Sequence, residues 1–463
     1  MKRPFAIPFI AACAIAGIIA SGCATAPAAD PQASSSSAQE STGAVLSESS
    51  LDAAADFSLT LLRTTMAEDG AGAAPSDDAG ANANAASEGS ANHGESEAAA
   101  TAEAENDAGP AQATTGTESN RLISPFSVAS ALGMTANGAQ GQTREQMEAV
   151  LGMSVDELNA FTASYTSTLP STDEARVNIA NSLWVNDQIP VKSDFLEENA
   201  TYYGAGVFTT PFDKATKDRI NGWVADNTDD MIESIVDSVS PDMALYLVNA
   251  MAFDAKWMSP YEETQVSPGT FTTADGKTQD ASMMGSAEHA YLTDGNAVGF
   301  AKPYADGAYA FAALLPNEGV SLEDYVAGLD GTGFRAMMAN AQSAEVEAYL
   351  PKFEVEQSLE LADVLGRMGM ADAFDADVAD FSGMSDEAGE RALHIDRVTH
   401  KTFISVAEQG TRAGAATSVS MRVTAAMPDE EPKIVRLDRP FVYAIVDTQT
   451  NLPLFLGTVE SLG

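Results

Sequence analysis

The chain has 463 residues, enough for two or three average domains or one large domain with extensions, and its apolar fraction of 45% permits a hydrophobic core. It carries 67 Asp and Glu against 24 Lys and Arg, which gives a formal net charge of −43 at pH 7. Such a surface repels phosphate groups. This argues against a nucleic-acid partner and against electrostatic docking on polyanions or anionic lipids.

The N-terminus, residues 1–22, has the pattern of a secretory signal. Two basic residues begin it, an apolar stretch over residues 5–19 follows, and small residues lead to Cys23. The apolar stretch is short for a membrane span. The sequence ASGC at 20–23 resembles a bacterial lipobox, which implies a lipid on the Cys23 thiol and a location on the extracellular face of the cell membrane, with release to the extracellular space as the alternative. An ordinary signal peptide that happens to contain a cysteine is the alternative.

The two cysteines of the chain would leave no free thiol in the mature protein. Cys13 lies inside the signal and would be removed with it, while Cys23 would be acylated. Disulfides, cysteine catalysis and thiolate metal sites are therefore excluded by this interpretation.

A flexible tether and an acidic insertion are predicted around a first helix. Residues 23–50 are rich in Ala, Ser, Thr and Gln, which is typical of a linker. Apolar residues at helical spacing predict a helix over 51–66, capped by Ser50. Residues 67–119 contain no aromatic side chain and no hydrophobic run. They cannot bury enough apolar surface to offset the ordering of their backbone, and we predict a disordered spacer.

From residue 120 onward, helical and strand-like segments alternate irregularly, which favours an α+β fold. Ser124 suits a helix N-cap and Pro125 the first helical position, and Thr143 with Gln146 has the spacing of a capping box. Further helices are predicted over 218–236 and 358–370, and strands over 177–185, 244–253, 309–316, 345–356, 397–406 and 440–446.

Motifs that carry enzyme chemistry are missing from the sequence. The four histidines form no HExxH pattern, and the chain contains no GxSxG nucleophile elbow, no phosphate-binding loop and no GxGxxG. His394 and His400 flank a strand-like segment, and a structural hydrogen-bonding role is favoured for them over a metal pair. We therefore expect no enzymatic activity, no metal and no cofactor.

Residues 408–434 combine the composition of an exposed loop with the alternation of a strand. A run of small residues follows Gly410, and a Pro-bracketed acidic patch comes near the end of the segment. Alternate residues from Thr411 to Val423 are small to apolar, and those between them are small to polar, as in a half-buried strand. A segment with both features could be bistable. A plain hairpin strand or a linker would account for the same residues.

The sequence EQGTRAGAAT at 408–417 resembles the hinge of inhibitory serpins, which reads roughly EEGTEAAAAT. Other serpin motifs follow in family order along the chain, among them NRLISPFS at 120–127 and LPKF at 350–353. The resemblance covers about 51–66 and 120–463, which is nearly all of the part predicted to be ordered.

This resemblance implies a serpin fold with three β-sheets, eight or nine helices and an exposed reactive-centre loop at 408–434. Residues 51–463 would form one serpin domain, and 67–119 would be an insertion that the usual family member lacks.

The resemblance also implies roles for individual residues. The hinge would insert through one face, a buried polar shutter would lie beneath the parting strands, and insertion would start at a breach. The implied hinge residues are Glu408, Gly410, Thr411, Ala413, Ala415 and Thr417; the shutter residues are Ser124, Ser127, Asn249 and His400; the breach residues are Lys256 and Trp257.

The implied mechanism is covalent trapping of an extracellular serine protease by a monomeric inhibitor. The protease would form an acyl-enzyme with the loop, and the freed loop would insert as a new central strand before deacylation. Counting from Glu408 favours Thr424-Ala425 as the reactive bond, which suits elastase-like proteases. Arg422-Val423 is the rival and would suit a trypsin-like protease. A non-inhibitory serpin-like surface binding protein is the alternative function, but its hinge should carry bulky or charged residues on the inserting face.

Overall fold

The computed structural model describes residues 46–71, 119–241, 243, 245–387, 393–411 and 431–462. The predicted signal peptide with Cys23, nearly all of the tether, most of the acidic insertion and most of the reactive-centre loop lie outside these residues. The helices are α1 (Glu48–Ala71), α2 (Pro125–Ala136), α3 (Gly141–Leu151), α4 (Val155–Thr168), α5 (Ser193–Tyr203), α6 (Lys214–Asn227), α7 (Leu322–Gly328), α8 (Gly331–Ala339) and α9 (Ala362–Leu365). The strands are β1 (Arg121–Ile123), β2 (Ala175–Asn186), β3 (Gly206–Thr210), β4 (Leu245–Lys256), β5 (Val266–Thr272), β6 (Thr278–Thr293), β7 (Ala297–Pro303), β8 (Tyr309–Pro316), β9 (Gln342–Pro351), β10 (Phe353–Glu360), β11 (Thr399–Ala407), β12 (Gly410–Thr411), β13 (Lys433–Arg436), β14 (Phe441–Asp447) and β15 (Pro453–Val459).

One sheet has six strands in the order β10-β11-β12-β4-β2-β3. Its two faces are covered differently because successive side chains on a strand point to opposite sides. On β4, Val248 and Ala250 pack with Ile220 and Val224 of α6. The intervening residues of β4 face α2 and the main core, where Ser127 of α2 bonds to β4.

The second sheet has nine strands, with a main path β1-β15-β14-β8-β7-β6-β9-β13 and β5 paired to β6. Three sheets were expected, whereas the described strands form two, because two of the expected sheets share the long strand β6. The 16-residue β6 pairs with β5 over its first half and with β7 over its last residues, while β9 lies on its other side. Strands that would form two sheets are therefore joined through β6.

The sequence placed the strands better than the helices. Strands at 177–185, 244–253, 309–316, 397–406 and 440–446 are confirmed, and the α+β class with them. The predicted strand 345–356 is two strands in different sheets, because the chain turns at Lys352, whose N–H donates to the Ser282 carbonyl at 3.0 Å. Within the described ranges, no helix has both the length and the apolar character needed to cross a membrane.

Three helix predictions were wrong in their bounds. The helix predicted over 218–236 stops at Asn227, since Asp229 and Asp230 have φ values of 50° and 57°, outside the right-handed helical region. The helix predicted over 358–370 begins late, because residues 358–360 belong to β10. Its remainder is α9, followed directly by a π-helical turn over Gly366–Met370 in which Gly369 has a φ of 125°. Helix α1 begins at Glu48, within the range assigned to the tether, which leaves Ser50 inside the helix rather than at its cap.

The predicted Thr143–Gln146 capping box is also wrong. Helix α3 begins at Gly141 with Gln140 as its N-cap, so Thr143 lies inside the helix. The two side chains instead accept hydrogen bonds from the Asp380 and Asp372 amides. They join α3 to the segment after β10.

Candidate functional site

The start of the predicted loop lies inside the six-stranded sheet. Gly410 and Thr411 form β12, which pairs antiparallel with both neighbours: Thr411 with Val406 of β11, and Thr411 with Ala255 of β4. Among the described residues, β4 and β11 make no ladder with each other. At this end of the sheet, the two strands are therefore separated by the width of one strand, and Gly410 and Thr411 lie between them.

Thr411 is anchored by its side chain as well as by its backbone. It is 1% exposed, and its hydroxyl lies 2.5 Å from the hydroxyl of Tyr304, which is itself fully buried. Burial raises the pKa of the Tyr304 phenol far above its ordinary value, so this group stays neutral and hydrogen-bonded.

The residue before it, Gly410, sits where no side chain fits. A Cβ at this position would lie 2.0 Å from the carbonyl oxygen of Ala255 and 2.8 Å from the Cα of Lys256. Both atoms are backbone of β4, so neither can move aside without distorting the sheet. The glycine of the hinge motif is thus explained by close approach to β4.

The predicted breach residue Trp257 holds the hinge by two hydrogen bonds. Its backbone N–H donates to the Gln409 carbonyl at 2.9 Å, and its indole N–H donates to the Ala407 carbonyl at 2.8 Å. Its ring is buried and stacks on Tyr304 at 4.6 Å. The other breach residue, Lys256, pairs with Gly410 across the ladder.

Glu408 is held by an ion pair with Lys352, at the turn between β9 and β10. Partial burial works to raise the pKa of the Glu408 carboxyl, but the hydrogen bond from Lys352, a backbone hydrogen bond and the lysine charge together lower it below its ordinary value. About a third of each of the two side chains is exposed, so the ion pair contributes only modestly to stability.

The four predicted shutter residues form two hydrogen-bonded pairs, each of which joins the start of α2 to one strand of the sheet, His400 on β11 or Asn249 on β4. The Ser124 N–H donates to His400 Nε2 at 2.9 Å, and the Ser127 hydroxyl donates to Asn249 Oδ1. All four are buried. Asn249 in turn donates to Asn181 Oδ1 of β2 at 2.7 Å, which extends the network across the sheet.

His400 is the titratable group of this network. Complete burial lowers its pKa from 6.5 to about 4, so the ring is neutral at pH 7 and accepts the Ser124 N–H through Nε2. In the unfolded chain the ring takes up a proton near pH 6.5, while the folded ring does not until about pH 4. The unfolded state therefore binds more protons between these values, and the native state loses stability as the pH falls through this window.

We expect the native state to lose roughly 3 kcal/mol of stability between pH 6.5 and 4 through this histidine. A His400→Gln variant, which keeps an acceptor for Ser124, should lack that contribution. Urea unfolding of the native form at several pH values measures the difference between the two proteins. The exposed His289→Gln variant is the control and should follow the wild type. Parallel pH curves for wild type and His400→Gln would contradict the assignment.

The opposite face of the sheet carries a groove of about 1000 Å³ beside β4, β10 and β11. Residues 229–237, which follow α6, form its other wall and contribute several carboxylates. Arg176 of β2 joins this wall to the sheet by pairing with Asp229 at 3.5 Å and with Asp254 at 3.0 Å.

The remaining predicted site residues lie outside the described part of the chain: Ala413, Ala415, Thr417, Arg422, Val423, Thr424, Ala425 and Cys23. Sequence reasoning missed Tyr304, Tyr261 and the buried pair Lys302–Glu288 near the hinge. Tyr261 donates its N–H to the Glu408 carbonyl at 2.9 Å. A tyrosine shortly after the predicted breach was the signal available.

The family model described as serpin, serine protease inhibitor, matches residues 110–462. An uncharacterized serpin-like protein of Thermococcus kodakarensis is 34% identical, over 74% of this chain and 80% of its own length. Human Serpin B9 is 30% identical, over 74% of this chain and 93% of its own length.

Among solved structures, the thermophilic serpin tengpin in its native state has 38% identity and a TM-score of 0.73, with 90% of this chain and 95% of tengpin covered. Thyroxine-binding globulin in complex with thyroxine, at 23% identity and a TM-score of 0.68, shares the fold. By sequence and by fold, this chain belongs to the serpin family.

Proposed function

We propose that the protein inhibits extracellular serine proteases by covalent trapping, with its reactive-centre loop inserting between β4 and β11. The observation that carries this proposal is the position of β12. Gly410 and Thr411 already pair with both strands, and in the described part of the chain those two strands make no ladder with each other. Such a sheet is prepared to accept more of the same segment.

The register of β12 predicts the partner of each further hinge residue. Moving along the antiparallel ladders, Ala413 would lie between Phe253 and Ile404, and Thr417 between Asn249 and His400. The side chains of these four partners are buried. Small residues at alternate hinge positions fit that face, and the Thr417 hydroxyl would meet the polar shutter.

Insertion down to Thr399, the first residue of β11, would take the loop as far as residue 418. Each ladder hydrogen bond contributes about 0.5–1.5 kcal/mol net, so a strand of this length, bonded on both sides, adds on the order of 10 kcal/mol. This is comparable with the whole stability of an ordinary domain, about 5–15 kcal/mol. It is enough to make insertion strongly favourable even with a protease attached to the loop.

The reactive bond in this proposal is Thr424-Ala425, and the target is an elastase-like protease. Arg422-Val423 with a trypsin-like protease is the second choice. The acidic residues that follow, Asp429 to Glu431, suit a basic protease. The lipid anchor on Cys23 would place the inhibitor at the outer face of the cell membrane, where it meets extracellular proteases as a monomer.

A non-inhibitory binding role is the competing proposal, because the same fold serves thyroxine-binding globulin in its complex with thyroxine. That role removes the need for a hinge that can enter the sheet. The buried Thr411, the glycine at 410 and the alanines at 413 and 415 all favour insertion instead.

The proposal is tested by incubating the mature protein with an elastase and with trypsin and separating the products under denaturing conditions. We expect a covalent complex with the elastase, and mass spectrometry should find the protease serine esterified to Thr424. An ester at Arg422 would support the same trapping mechanism but would indicate a trypsin-like target protease. Cleavage without any complex would favour the binding role.

A further inference from the structure

A buried ion pair lies in the core directly behind the residues that hold the hinge. The Lys302 ammonium, near the end of β7, donates to Glu288 of β6 at 2.8 Å, and the two side chains are 1% and 8% exposed. The carboxylate also accepts a hydrogen bond from the Ser286 hydroxyl at 2.6 Å. A buried pair of this kind is weak evidence for stability, because well-packed apolar residues often replace one without loss.

The same ammonium is flanked by two aromatic rings. Its Nζ lies 4.4 Å from the centre of the Tyr261 ring and 5.5 Å from that of Trp257. Both distances are within cation–π range, and the attraction is greatest where water is excluded. Tyr261 and Trp257 are 3% and 1% exposed.

These two rings belong to the residues that bind the hinge backbone. Trp257 donates to the Ala407 and Gln409 carbonyls, and Tyr261 donates to the Glu408 carbonyl. Trp257 also stacks on Tyr304, whose hydroxyl meets that of Thr411. Lys302 therefore contacts the aromatic groups that fix the hinge.

We propose that Lys302, held by Glu288, is a positioning residue for loop insertion: its charge fixes Trp257 and Tyr261, and through them it keeps the hinge inserted between β4 and β11. The expected effect on protease trapping rests on the proposed inhibitory function, whereas the expected effect on the position of the hinge does not. The hinge position can be measured without any protease.

The test uses the double variant Lys302→Met/Glu288→Gln, which removes the cation and leaves no unpaired buried charge. Hydrogen exchange of the backbone amides at 409–411 should become about tenfold faster, because two cation–π contacts are lost. The variant should also be cleaved as a substrate more often, with about three times more inhibitor consumed per protease trapped. Lys302→Arg retains a cation and should restore much of the protection.

The matched control is Arg335→Met/Asp52→Asn, which removes a different ion pair between α8 and α1. It should leave hinge exchange and stoichiometry at the wild-type values. If the Lys302 double variant does not fold, Tyr261→Leu and Tyr261→Phe provide the same test on one ring. The leucine variant should loosen the hinge and the phenylalanine variant should not.

Two failures are distinguishable. A wild type that forms no complex with any protease would refute the proposed function, while hinge exchange would still test the role of Lys302. The inference would be overturned if the hinge amides of Lys302→Met/Glu288→Gln exchanged at the same rate as those of the wild type. Where Tyr261→Leu is used instead, the same result in that variant would overturn it. A rise in exchange equal to that of the Arg335 control would also overturn it, since the effect would then be general destabilisation.

Discussion

Replacing Thr411 by Arg should convert the protein from an inhibitor into a substrate. The side chain at this position is 1% exposed, and its hydroxyl is hydrogen-bonded to that of Tyr304, which cannot neutralise a guanidinium. Burying an unpaired charge there costs several kcal/mol, and leaving the Tyr304 hydroxyl unsatisfied adds about 1–3 kcal/mol. A barrier raised by about 3 kcal/mol slows insertion roughly a hundredfold. Deacylation then occurs before insertion, and the protease is released from a cleaved loop.

The measurement is the number of inhibitor molecules consumed per protease inactivated, together with the melting temperature before and after loop cleavage. The wild type should consume few inhibitor molecules per protease, and its melting temperature should rise strongly once the loop is cleaved. Thr411→Arg should consume many inhibitor molecules per protease and should lose most of that rise in melting temperature. Gln409→Arg is the matched control, because Gln409 lies in the adjacent turn and is partly exposed. If Thr411→Arg traps protease as the wild type does, this face is not the inserting face.

Replacing Gly410 by Ala should expel β12 from the sheet. The new methyl group would lie 2.0 Å from the Ala255 carbonyl oxygen, well inside contact distance, and the atoms it meets are backbone of β4. The hinge must then move away from β4, which breaks the ladder and exposes Thr411. Losing these pairs and the Thr411 contact should make the amides at 410–411 exchange freely.

Hydrogen exchange and proteolysis of the hinge check this expectation, with Gly222→Ala as the control. Gly222 lies on α6, and a Cβ added there meets nothing within 4 Å. That substitution should be neutral or slightly stabilising, because alanine favours the helix. Unchanged protection at 410–411 in Gly410→Ala would mean that the hinge does not enter the sheet in solution as the structure has it.

The strands and the buried face of the hinge could be predicted because both depend on local sequence pattern, either a continuous apolar run or an alternation of side chains. The run YAFAALLP is apolar throughout, and β8 is buried at every position. The small residues at alternate positions after Gly410 likewise point to one buried face, and Thr411 lies on it. Patterns of this kind need no knowledge of what packs against the strand.

The support behind the hinge could not be predicted, because it depends on where distant strands meet. Lys302 and Glu288 each stand alone among ordinary strand residues, and nothing local indicates that β6 and β7 bring them together under Trp257. The end of α6 was missed for a related reason. Residues 228–236 have helical composition, so the sequence does not indicate the left-handed turn at Asp229–Asp230. That turn leads into a segment that lies beside the sheet, and this placement depends on distant parts of the chain.

The most direct test of the trapping mechanism is the reaction of the intact mature protein with an elastase, followed by denaturing electrophoresis. We predict a band that contains both proteins and resists denaturant, and we expect Thr411→Arg to abolish it while leaving loop cleavage intact. Complete cleavage of the wild-type loop with no such band would contradict covalent trapping.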